Sequence, residues 1–292
     1  MKSCSRGRLR NEHQLFDKVS GTNRVLINGV GVNYYDRGPG DRGAGESVLF
    51  LHGWGADFSL FRPFLDRMSE PGLWYRVCAP DLPGFGKSEE PPLAWGVDDY
   101  ADFALAFLAE LGIRSAVLIG HSFGGRIAIK LASRKNLPIE IPKMILVDSA
   151  GLRRQKTAKQ AARALLYRTV KRIVSIELIQ KKFPDLLEKW RKKMGSEDYR
   201  NASPRMRECL VKAVNEDLTQ CLPFISCPTL LIWGENDAVT PLENAKIMEK
   251  LIPYAGLVVL KNAGHNSFLH QSYTFGKVLD SFLGIDKKQE RP

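Results

Sequence analysis

Residues 118–125 read Leu-Ile-Gly-His-Ser-Phe-Gly-Gly, at the end of an apolar run and the start of an amphipathic one. The spacing G-x-S-x-G over Gly120, Ser122 and Gly124 predicts a strand, a sharp turn and a helix. Few folds tolerate this arrangement. The central serine is forced into a strained backbone conformation, and the glycines two residues either side remove the Cβ atoms that would collide where strand and helix cross. Ser122 Oγ would then stand exposed at the end of a sheet strand, where it needs a base, an orienting acid and an oxyanion hole to act as a nucleophile.

Candidates for all three lie in turns that leave other apolar runs. The acid candidate is Asp237, just beyond the run Thr-Leu-Leu-Ile-Trp-Gly at residues 229–234, and loops at the carboxyl ends of strands host sites in open parallel sheets. Asp148, which follows Leu146 and Val147, ends another such run and is the competing acid. The base candidate is His265, in Ala-Gly-His after the run at 257–260. For the oxyanion hole, the run at 48–51 enters His52-Gly53-Trp54-Gly55, whose flexible backbone can aim the Trp54 N–H beside that of Phe123.

With these pieces in view, the chain resembles the α/β-hydrolase superfamily from about residue 25 to 283. The resemblance rests on the elbow, the His-Gly-Trp strand end, Asp81-Leu-Pro-Gly-Phe-Gly-Lys-Ser88, the Trp-Gly-Glu-Asn-Asp237 turn and the Ala-Gly-His265 turn, in family order. It implies an α/β fold with a mainly parallel sheet, helices on both faces and a helical cap insertion. It further implies Ser122 as nucleophile, His265 as general base, Asp237 as its orienter, and the amides of Trp54 and Phe123 as the oxyanion hole, with no cofactor. Asp81 to Ser88 is one residue from a phosphate-binding loop, but Asp81 replaces its first glycine and Pro83 lacks an N–H, so a strand-end turn is expected.

The net charge of +11 is concentrated. Residues 151–200 hold fifteen Lys or Arg against five Asp or Glu, a net +10. Apolar residues there recur at three- and four-residue steps, as in Leu165, Leu166, Val170, Ile173 and Val174, which predicts amphipathic helices. The expected organisation is a basic N-terminal arm (1–22), a core domain in two parts (23–150 and 223–292) and a helical cap between them (151–222). The cap's apolar side is expected to roof the nucleophile. Its charged side is read as a solvated helix surface, the alternatives being attraction of an anionic substrate or peripheral contact with an acidic membrane surface. No nucleic-acid partner is expected.

Elsewhere, Asn28-Gly29 between two apolar stretches signals a hairpin, and residues 97–111 have helical periodicity. Five cysteines, with no C-x-x-C pair, read as reduced structural thiols in a cytoplasmic protein. No His, Cys and carboxylate cluster has metal-ligand spacing, and no apolar stretch approaches the roughly 20 residues that span a bilayer. His52 and His121 read as structural, and Arg126 has no assignable role. The function expected is a serine hydrolase of the carboxylesterase type, cleaving esters or thioesters of small to medium apolar acids. A carbon–carbon hydrolase of ring-cleavage products and a low-turnover ligand receptor are the alternatives, the former weakened by His121 and Asn266 where such enzymes often carry Asn and Trp.

Overall fold

The computed structural model describes residues 22–38, 46–70, 75–153 and 197–285. Eight strands form one sheet in the order β1-β2-β4-β3-β5-β6-β7-β8. The opening hairpin joins β1 (Thr22–Ile27) to β2 (Val30–Arg37). Asn28 and Gly29 both take positive φ, 49° and 82°, as a two-residue hairpin turn requires. The sequence reading ended the basic arm at Thr22, but this residue already pairs with Tyr35 and belongs to the sheet.

From β3 (Glu46–Leu51) and β4 (Tyr75–Pro80) onward the pairing is parallel, through β5 (Ala116–His121), β6 (Met144–Val147), β7 (Thr229–Gly234) and β8 (Ala255–Leu260). Only β1 and β2 run antiparallel to their neighbours. Parallel strands are covered on both faces, so β3, β5, β6 and β7 read as unbroken apolar runs.

Alternate side chains of those runs feed two separate cores. Leu49, Leu51, Leu118, Leu146, Leu231 and Trp233 enter one, with α2 (Val97–Glu110), α3 (Phe123–Ala132), α5 (Pro204–Asn215) and α6 (Leu242–Leu251). Val48, Phe50, Val117, Ile119, Ile145 and Ile232 enter the other, under α1 (Arg62–Met68) and α8 (Ser272–Leu283). The remaining short helices are α4 (Glu197–Asn201) and α7 (Ser267–His270).

Local signals set the helix ends. The Asp99 carboxylate accepts the Gly96 N–H at 2.7 Å at the start of α2, whose first turn also carries Asp98. Ser203 caps α5 by accepting the Met206 N–H, with Pro204 in the first turn where its missing N–H costs nothing. Gly284 ends α8 at φ 74°.

The predicted cap helices at 154–196 lie outside the described residues. The chain leaves the core at Gly151–Arg153 and its return is described from Glu197. At the junction, Leu218 N–H donates to the Gly151 carbonyl at 2.9 Å. Two cations of α3 meet there as well: Arg126 Nη1 donates to the Glu216 carbonyl at 2.8 Å, and Lys130 Nζ lies 2.8 Å from the Glu216 carboxylate. Arg126, unassigned from the sequence, is thus a buried tie between the helix after the elbow and the returning segment.

Candidate active site

Parallel strands place their carboxyl ends along one edge, and the three candidate residues converge there. Ser122 sits between β5 and α3 at φ 50° and ψ −109°, a strained geometry for a non-glycine residue. Its backbone is held on both sides: its N–H donates to the Val147 carbonyl at 3.1 Å, and its carbonyl accepts from Ala150 at 3.0 Å. A Cβ on Gly120 would fall 2.6 Å from the Gly124 oxygen, and one on Gly124 would overlap the Leu51 carbonyl. The motif's glycines are steric requirements of this crossing.

Ser122 Oγ lies 2.9 Å from His265 Nε2, and His265 Nδ1 lies 2.9 Å from Asp237 Oδ2. Asp237 Oδ1 accepts the amides of Val239 and Thr240 at 2.8 and 2.9 Å. The Thr240 hydroxyl is 2.6 Å from Asp237 Oδ2 and 3.0 Å from the Asp148 carbonyl oxygen, so its single proton serves one or the other. Burial pushes the Asp237 carboxyl up, but the hydrogen bonds from His265 and from the Thr240 hydroxyl and amide outweigh it and hold the group below the usual range.

Asp148, the competing acid, is not in contact with His265. Its fully buried carboxylate accepts Gly234 N–H on Oδ1 at 2.8 Å and Ser267 N–H on Oδ2 at 2.9 Å. Burial, with the Asp237 charge adding to it, pushes this carboxyl up to about 6 against the pull of those donors.

The other two histidines also contact the edge. His52 Nε2 accepts the Leu82 N–H at 2.8 Å, and burial pushes its pKa down. His121 lies under the His265 ring, centroids 5.2 Å apart, with Phe61 and Phe268 against its other sides. Burial, and then the nearby His265, push it down to about 3, so it is neutral. Its Nε2–H therefore donates to the His265 carbonyl at 3.1 Å, which fixes the base's backbone.

The His52-Gly-Trp-Gly turn passes beside the serine. A Cβ on Gly53 would come within 3.3 Å of Ser122 Cβ. Trp54 and Phe123, the residues predicted to supply the oxyanion amides, therefore flank Ser122. Their rings meet edge-on at 5.2 Å, and Phe85 joins them 4.8 Å from Trp54. Met206 of α5 packs its thioether where a Gly84 Cβ would stand, and Asp198 of α4 lies 3.5 Å from the place of a Gly55 Cβ. The described end of the insertion thus reaches over the two turns beside the serine. The 81–88 turn is held by the Asp81 carboxylate, which accepts from Lys87 N within the turn and from Asn33 Nδ2 and Phe58 N outside it.

A sequence model of the alpha/beta hydrolase fold matches residues 46–271. Among relatives, Lipase 3 of Moraxella sp. (strain TA144) is 28% identical over 77% of this chain and 73% of its own. The 2-hydroxymuconate semialdehyde hydrolase of Pseudomonas sp. (strain CF600) is 28% identical over 89% of this chain and 92% of its own. Among solved structures, a thermophilic esterase from Thermogutta terrifontis superimposes with a TM-score of 0.66 at 25% identity, covering 89% of this chain and 98% of that one.

Proposed function

The chain belongs to the alpha/beta hydrolase fold family, and from that premise we propose that it is a serine hydrolase of the carboxylesterase type, acting on esters or thioesters of small to medium apolar acids. The observation that carries this reading is the unbroken chain Ser122 Oγ, His265 imidazole, Asp237 carboxylate, with 2.9 Å at each link.

In this reading Ser122 Oγ attacks the acyl carbon while His265 Nε2 takes its proton. Negative charge moves to the carbonyl oxygen, which the amides of Trp54 and Phe123 receive, and Asp237 stabilises the imidazolium at Nδ1. The tetrahedral intermediate collapses as His265 protonates the leaving oxygen or sulfur. Water, deprotonated by His265, then attacks the acyl-enzyme and releases the acid and free Ser122. These steps need no cofactor. The aromatic wall of Trp54, Phe85 and Phe123, with Met206 behind it, supports an apolar acyl group. The insertion at 151–222 serves in this reading as the cap that excludes water from the intermediate.

A fluorophosphonate probe tests the nucleophile. Labelling of Ser122, lost in Ser122→Ala together with turnover of p-nitrophenyl esters, is expected. Undiminished turnover by folded Ser122→Ala would refute the reading. The relative that acts on 2-hydroxymuconate semialdehyde supports a second reading, hydrolysis of a carbon–carbon bond in a ring-cleavage product by the same residues. Running such a product beside p-nitrophenyl esters of rising chain length separates the two by their kcat/KM ratio.

A further inference from the structure

Asp148 lies outside the proton path from Ser122 to Asp237, yet its position is unusual in three ways. It is fully buried, its φ of 44° is in the left-handed region that few non-glycine residues enter, and its two oxygens are committed to different chain segments. Oδ1 accepts Gly234 N–H, where β7 turns toward Asp237, and Oδ2 accepts Ser267 N–H, two residues past His265. Its own carbonyl lies 3.0 Å from the Thr240 hydroxyl that also contacts Asp237.

The same short segment grips the nucleophile. The residues on either side of Asp148 and Ser149, namely Val147 and Ala150, each hydrogen-bond the backbone of Ser122, and Ser149 packs where a Gly125 Cβ would stand. Residues 147–150 are therefore in direct contact with the serine turn, the acid loop and the histidine loop alike.

Resting on the reading of Ser122, His265 and Asp237 as the catalytic groups, we infer that Asp148 is a positioning residue that sets the distance between His265 and its two partners by tying both loops to the strand beside Ser122. The carboxylate form is the one that suits two N–H donors, since both oxygens then only accept. The geometry also explains a costly choice. A buried carboxylate with no cationic partner among the described residues depends on its hydrogen bonds to offset its desolvation.

Two variants test this. Asp148→Asn keeps the volume, tolerates positive φ and retains one acceptor, while Asp148→Gly removes both acceptors and is unstrained at that φ. With p-nitrophenyl butyrate at about pH 8, kcat per folded molecule should fall about 10- to 100-fold, more in Gly than in Asn, with KM within about twofold of wild type. The low-field proton resonance of His265 Nδ1–H should shift in both. Either variant decides the matter if the other fails to fold. Wild-type kcat and an unmoved resonance in a folded variant would overturn the inference even if its melting temperature dropped. Turnover surviving in Ser122→Ala would instead remove the catalytic reading beneath it, so the two failures are distinct.

Discussion

The hydrogen-bond chain from Asp237 to Ser122 requires one tautomer of His265, with the proton on Nδ1 facing the carboxylate and the lone pair on Nε2 facing the hydroxyl. Asp237→Asn keeps the shape but offers an amide that favours the other tautomer, so kcat should fall by about 10⁴ with the fold intact. Steady-state kinetics on a folded variant checks this. His265→Ala should lose on the order of 10⁶, no more than the double variant with Ser122→Ala, because the two act as a unit. Near-additive losses would show that they do not. Ser122, Asp237 and His265 were legible in the sequence because each occupies a glycine-marked turn after an apolar run. The contacts that hold them were not: Asp148 reaches residues 86 and 119 positions away, and nothing local to residue 148 signals those partners. Likewise His121 reads as packing until its Nε2 is seen against the His265 carbonyl.

Among the elements, the β5-α3 crossing is the least forgiving. Gly124→Ala would drive a methyl into the Leu51 carbonyl, where two backbones meet and neither can yield by changing rotamer. A loss of about 3 kcal/mol or more is expected, at the upper end for overpacking, and a denaturant titration measures it. Gly112→Ala, with open space around the site but φ 68°, should cost only about 1–2 kcal/mol. Comparable losses in the two would mean that a small backbone shift relieves the collision at Gly124. Strand cores were legible because parallel strands buried on both faces read as solid apolar runs: the run at 229–234 is β7 residue for residue, whereas β3 and β8 each begin two residues before the runs at 48–51 and 257–260. Arg126 was not legible, since a buried cation paired with a backbone carbonyl 90 positions away leaves no pattern in the chain. Arg126→Met should therefore destabilise by about 1–3 kcal/mol, by stranding the Glu216 carbonyl.

Across the whole molecule, the alternation of apolar runs with helical stretches was enough to predict a mainly parallel sheet with helices on both faces, because right-handed parallel crossovers leave few ways to connect them. The basic segment's role does not follow from its charge, for the same composition serves a solvated face or an attracting one. Global stability should instead carry the signature of two of the buried carboxylates, Asp237 and Asp148, which pull in opposite directions. Asp237 is depressed in the fold, so its contribution is present above the ordinary carboxylate range and is lost as pH falls through its folded pKa. Asp148 is raised to about 6. Between about pH 4 and pH 6 the unfolded chain has released this proton while the folded chain retains it, so stability from this group falls as pH rises, and the cost is complete above pH 6. A shift of about two pH units corresponds to roughly 3 kcal/mol. Asp148→Asn lacks the titration, so the stability of wild type relative to this variant should decline by about that amount between pH 4 and pH 7. Denaturant titrations of both proteins across that range measure the difference. A difference that stays flat would mean that Asp148 keeps an ordinary carboxylate pKa in the fold, and one that rises with pH would mean that its two amide donors outweigh its burial.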